Sequence, residues 1–209
     1  MSKKSIVLRS RGFVDSRQAV KLSHYRLSVI IGMPIGLLIA LWSNPTAVSL
    51  WRGGIFLIFG EAVRFWSAGY INAWHKALID RRLPVLGPYG LMRNPCHMGS
   101  FLIGLGVAMM SGLRSAYFIL VGFTLIGLVY FIPQEEKFLK EKFGAAYEAN
   151  SRLLARYLPN WRQLARWWKA RREPHAHEGF QSMEAWLFER HIIIFLIGII
   201  SAMIVRWRF

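Results

Sequence analysis

Gly87-Pro88-Tyr89-Gly90-Leu91-Met92-Arg93-Asn94-Pro95-Cys96-His97-Met98-Gly99 is a polar, turn-rich segment set between apolar runs, and those runs decide the fold. Before it lie residues 27–42 and 53–71; from it onward come 96–111, 115–132 and 191–205. Each run approaches the ~20 residues, flanks included, that a helix needs to cross a hydrocarbon core of about 30 Å. The pattern predicts an all-α, polytopic integral membrane protein with about five transmembrane helices. Residues 1–26 form a basic lead-in, 27–133 four spans, 134–190 interfacial helices, and 191–209 a fifth span with its tail. Polar groups at a membrane boundary cost free energy unless a partner or ligand satisfies them, so the quoted segment is the first place to look for chemistry.

Composition agrees. Of 209 residues, 54% are hydrophobic and nine are Trp, more apolar than an ordinary soluble domain. The net charge of +16 would suit nucleic acid, but 22 of the 27 Lys and Arg fall before Leu27, between Ala73 and Pro95, or between Gln134 and Arg190. That bias marks three cytoplasmic segments and accounts for the charge through topology and attraction to anionic membrane lipids, so no nucleic-acid partner is expected. Arg52, Arg114, Arg206 and Arg208 then lie on the opposite side, with the first residues inside and the last outside. A long basic segment precedes the first apolar run and no small-residue cleavage pattern follows it, so no cleavable leader is expected. A single cysteine, Cys96, excludes an intramolecular disulfide and a cysteine-cluster metal site.

Asn44-Pro45 signals a turn after the first run, and Ser111-Gly112-Leu113-Arg114 joins the third and fourth as a tight hairpin. Glu61 and Arg64, three residues apart, share a helical face and read either as an intrahelical ion pair or as reacting groups. After Pro133, charges interleave with Phe138, Leu139, Phe143 and Tyr147 in an amphipathic helix leaving the membrane. Further on, Trp161, Leu164 and Trp168 form one stripe and Arg162, Arg166 and Lys169 an adjacent one, as in a helix lying at the headgroups. His175 and His177 form a His-x-His pair without a second ligand cluster, and no metal site is assigned to them.

The segment Gly87 to Gly99 resembles the signature of the isoprenylcysteine carboxyl methyltransferase and phospholipid methyltransferase superfamily: Gly-Pro-Tyr, three residues, Arg-His-Pro, one residue, Tyr, one residue, Gly. The matching positions are Gly87, Pro88, Tyr89, Arg93, Pro95 and Gly99. Asn94 stands where the family most often has His, and His97 where it has Tyr. Upstream, Gly60-Glu61-Ala62-Val63-Arg64 is similar to the family's Gly-Glu-x-x-Arg; downstream come Glu135-Glu136, Phe143-Gly144 and Tyr147. Three elements in order and spacing make the match specific where one alone would not.

The resemblance implies an inner-membrane methyltransferase that binds S-adenosyl-L-methionine at the cytoplasmic boundary and takes a lipophilic, prenylated or phospholipid-like acceptor from the bilayer. It assigns the cofactor to Tyr89, Arg93, Asn94, Pro95, His97, Gly99, Glu135 and Glu136, with Glu61 and Arg64 catalytic. The donor set suits the cofactor's carboxylate and the acids its ammonium and ribose hydroxyls. Arg64 would position a carboxylate acceptor, or Glu61 would take the proton of an amine. Two other readings stay open. Sterol reductases, which use a nicotinamide cofactor, are similar in core architecture, and the scaffold could persist without catalysis.

Overall fold

A computed structural model describes residues 31–79, 87–170, 172 and 179–208. The lead-in at 1–26 and the His175/His177 pair lie outside the described residues. The chain divides into two compact units, Met1–Leu38 and Ile39–Phe209. Of the first, only residues 31–38, the opening turns of helix α1 (Ile31–Trp42), are described.

The rest is helical: α2 (Ala47–Ile79), a 3-10 turn (Gly87–Gly90), α3 (Pro95–Ser111), α4 (Arg114–Ile126), a π-helical turn (Gly127–Phe131), α5 (Ile132–Phe143), α6 (Ala145–Leu153), α7 (Trp161–Ala170) and α8 (Ser182–Arg208). Among the described residues there is no strand; one isolated parallel bridge pairs Met92 with Ala155.

Among the described residues, two stretches are long and apolar enough to cross a membrane: Arg114–Phe143, with mean hydropathy 2.1, and Ser182–Arg208, with 2.0. The core helix of a soluble protein would be mostly buried, yet only 17% and 22% of their apolar windows are. The other three expected spans do not meet that standard. Ile31–Trp42 and Pro95–Ser111 are apolar but short. Helix α2 has 33 residues, but Arg52, Glu61 and Arg64 interrupt it.

Helices α2 and α3 run antiparallel in close approach, and four glycines are the reason. A Cβ on Gly60 would lie 2.8 Å from the Gly99 carbonyl oxygen, and one on Gly99 2.7 Å from that of Gly60. Gly53 and Gly106 repeat the relation two turns away, at 2.4 and 2.7 Å. With no side chain between them, the backbones meet directly, as small residues allow in membrane helix pairs. Beside this seam, Leu57 of α2, Val107 and Met110 of α3, and Leu196, Ile199 and Met203 of α8 form one buried cluster with Ala40.

The hairpin between α3 and α4 is as tight as its sequence predicts. Gly112, at φ +67°, caps α3, and a Cβ there would press within 2.3 Å of the Asn44 carbonyl oxygen. The Asn44 amide donates to the Ser111 carbonyl (2.8 Å), and Arg206 Nε donates to the Ser43 carbonyl (2.9 Å). These bonds tie the α1–α2 turn, the α3–α4 turn and the carboxyl end of α8 at one end of the second unit.

Pro133 does not end the helix. Proline removes an N–H donor and its ring crowds the carbonyl four residues back, and the π-helical turn just before it re-registers the ladder so that α4 continues into α5. The break falls at Gly144, φ +53°.

Candidate functional site

The quoted segment is held from several sides. Gly87 adopts φ +54°, and a Cβ there would meet the Tyr70 ring at 2.4 Å. Tyr89 is buried, its hydroxyl 3.9 Å from Cys96 Sγ, and burial pushes that phenol well above its ordinary range. The Arg93 amide donates to the Ala155 carbonyl (3.0 Å), extending the Met92–Ala155 bridge. Pro95, fully buried, opens α3, where its missing N–H costs nothing. The indole Nε1 of Trp167 donates to the Gly87 carbonyl (2.9 Å) and its ring meets Trp66 edge-on at 6.0 Å, so α7 fastens the segment to α2.

Glu136 is the hub of the polar cluster. Arg93 Nη1 lies 3.3 Å from its Oε1, and Asn94 Nδ2 donates to the same oxygen at 3.3 Å. Arg156 Nε reaches both carboxylate oxygens at 3.0 Å, and its Nη2 also donates to Oε2. That hydrogen bonding raises the Arg156 guanidinium above its ordinary range. Asn94 Nδ2 also donates to the Arg156 carbonyl (3.1 Å), two bonds from one amide group. Buried Tyr147 meets Arg93, and its hydroxyl is pushed up to about 12, first by burial and then by the Glu136 charge. Both tyrosines therefore stay protonated donors. Within this crowd Arg93 Nε is buried without a hydrogen-bond partner among the described residues. His97 Nε2 stands 3.8 Å from Glu135 Oε2, beyond hydrogen-bond length.

One to two turns deeper along α3 lies a second cluster. Arg64 is not paired with Glu61, as their spacing allowed. It donates through Nε and Nη2 to Glu189 of α8 at 3.0 to 3.1 Å, and through Nη1 to Ser100. Glu189 has no exposed surface. Ser100 passes its own hydroxyl to the Cys96 carbonyl (3.0 Å). Glu61 is left with both carboxylate oxygens buried and without a hydrogen-bond partner among the described residues.

Arg93 and Asn94 of the arginine-asparagine-proline tripeptide thus meet Glu136, while Glu135 stands beside His97. Glu136 is already engaged by three side chains, and Gly99 serves the helix seam against Gly60 and Arg64. Arg156, Tyr147 and Glu189 complete the clusters. Tyr147 was visible as a motif residue, whereas Arg156 and Glu189 carried no signal beyond being a cation in a basic stretch and an acid beside an apolar run.

Residues 48–146 match the model of a family described as phospholipid methyltransferase. No curated protein and no solved structure matches the chain. The matched stretch contains all ten residues assigned from sequence, while Arg156 and Glu189 lie beyond it.

Proposed function

We propose, on the premise that this chain belongs through residues 48–146 to the phospholipid methyltransferase family within the isoprenylcysteine carboxyl methyltransferase-like superfamily, that it is an integral membrane enzyme transferring a methyl group from S-adenosyl-L-methionine to a lipophilic amine. Five membrane segments, the twin-acid end facing the cytoplasm and the acceptor arriving sideways from the bilayer complete the reading. The bias of Lys and Arg supports that orientation.

The residues fit the cofactor. It brings a carboxylate that needs a donor, and Arg93 Nε is a buried donor without an acceptor among the described residues. It brings an ammonium and ribose hydroxyls that need acceptors, and Glu135 stands at the same boundary. Asn94, Arg156 and Tyr147 hold Arg93 and Glu136 in place rather than compete for the ligand. When bound, the cofactor supplies an electrophilic methyl group on sulfonium. The chain's task is then to align the acceptor, exclude water and receive one proton.

The observation that carries the choice of an amine is the contrast between Glu61 and Arg64. A carboxylate acceptor would need Arg64, whose guanidinium Glu189 and Ser100 already engage. An amine needs a base, and the buried Glu61 carboxylate has no hydrogen-bond partner among the described residues. The acceptor nitrogen's lone pair forms the new bond to carbon, and the proton it sheds passes to Glu61.

A ligand that binds only the native state stabilises it by about 2.7 kcal/mol at a hundredfold excess over its Kd. S-adenosylhomocysteine should therefore raise the melting temperature of detergent-purified protein by several degrees. Arg93→Ala should abolish the shift, while Glu61→Gln should keep it and lose transfer to amine-bearing lipids. No shift at saturating ligand, together with a shift by NADPH, would replace this reading with the reductase.

A further inference from the structure

We infer that the groove between α6 and α7 binds the phosphate of an anionic phospholipid headgroup, apart from the methyl-transfer site. The groove holds about 530 Å³ and is lined by Arg152, Arg162 and Arg166 together with Asn160, Gln163 and the backbone at Leu153. None of the three arginines forms an ion pair among the described residues. Arg166 donates to the Leu153 carbonyl (3.0 Å), and Arg162 lies 5.3 Å over the Trp161 ring, so both are oriented while keeping most donors open. A planar guanidinium suits phosphate bidentately, and three of them around one open groove, with no carboxylate lining it, form an anion site by charge and geometry.

The source of the phosphate follows from the other faces of α7. Gln163 and Trp167 point inward; Gln163 is 4% exposed, closes a reciprocal cap with Asn160 (2.8 and 2.9 Å) and donates to Leu153, which fixes the helix rigidly. Trp161, Leu164 and Trp168 are 72%, 47% and 50% exposed, with Leu158 at 71% just before them. A soluble phosphate has no use for this apolar rim. A lipid has: its chains lie against tryptophan and leucine while its headgroup enters the arginines. The site does not depend on whether the chain transfers methyl groups.

Native mass spectrometry of the full chain, released from an uncharged detergent with added phosphatidylglycerol, phosphatidylcholine or inorganic phosphate, tests this. Wild-type protein should retain phosphatidylglycerol in clear preference to phosphatidylcholine. R162Q/R166Q should lose that retention by about tenfold or more. K137Q/R190Q, which removes the same two charges elsewhere, should keep it. R162K/R166K, the milder variant in case the first fails to fold, should lose it severalfold because ammonium cannot clamp phosphate with a fork. Equal retention by the arginine variants, equal loss in K137Q/R190Q, or competition by inorganic phosphate at the lipid's own concentration would overturn the proposal.

Discussion

Glu189 accepts three hydrogen bonds from Arg64 with no surface of its own exposed, so neither group has water to fall back on. Removing one partner of such a pair leaves the other charged and buried, at a cost of about 3–5 kcal/mol. Glu189→Ala should therefore melt many degrees below wild type in detergent, and Arg64→Met/Glu189→Leu should recover much of the loss by replacing the pair with packing. An unchanged melting temperature for Glu189→Ala would show that the pair carries no stability. The pair also marks where sequence reasoning stops. Local periodicity sees neighbours three or four residues apart, which is why it offered Glu61 to Arg64. The true partner is 125 residues away, and only the docking of α8 brings it in. The sequence groups the tripeptide at Arg93 with the acids at Glu135 because a family pattern links them, while Arg156 lies outside that pattern and is placed by the bridge between Met92 and Ala155.

Glycine has a different meaning in each helix. Gly99 faces the Gly60 backbone and the Arg64 side chain at 2.7 and 2.5 Å, whereas Gly122 and Gly198 have nothing within 4 Å of an added Cβ. Overpacking a tight seam costs about 1–3 kcal/mol, while glycine to alanine in an open helical position gains up to about 1 kcal/mol. Gly99→Ala should thus lower the melting temperature and, by shifting Arg64, weaken transfer; Gly122→Ala and Gly198→Ala should leave both unchanged or slightly improved. Thermal unfolding of the three variants side by side decides it, and equal behaviour would refute the seam. The sequence showed these glycines as close-packing residues in general but not which ones pair, since pairing depends on the register of α2 against α3. Pro133 shows a related limit of local rules. Its local rule says that a helix stops, but five residues of π-helix before it let the helix run on.

Across the whole molecule, length fixes where the chemistry can sit. From Arg114 to Ile132 the helix rises about 1.5 Å per residue, close to 28 Å in all, which matches the hydrocarbon thickness. Glu135 and Glu136 then lie just past one end of this stretch, beside Arg93 and Arg156, while Ser43, Ser111 and Arg206 gather at its other end. The apolar runs were visible in the sequence, yet the charges within α2 lower its hydropathy, and of these Arg64 is accommodated through partners on α3 and α8. This arrangement makes a topological prediction. With Cys96 replaced by Ser, single cysteines introduced at Lys137 and at Arg208 should react with a membrane-impermeant maleimide from opposite sides of sealed vesicles. Lys137 should label from the cytoplasmic face and Arg208 from the other. Labelling of both from one face would break the bundle's two-ended sorting and, with it, the placement of the Glu136 cluster at the cytoplasmic boundary.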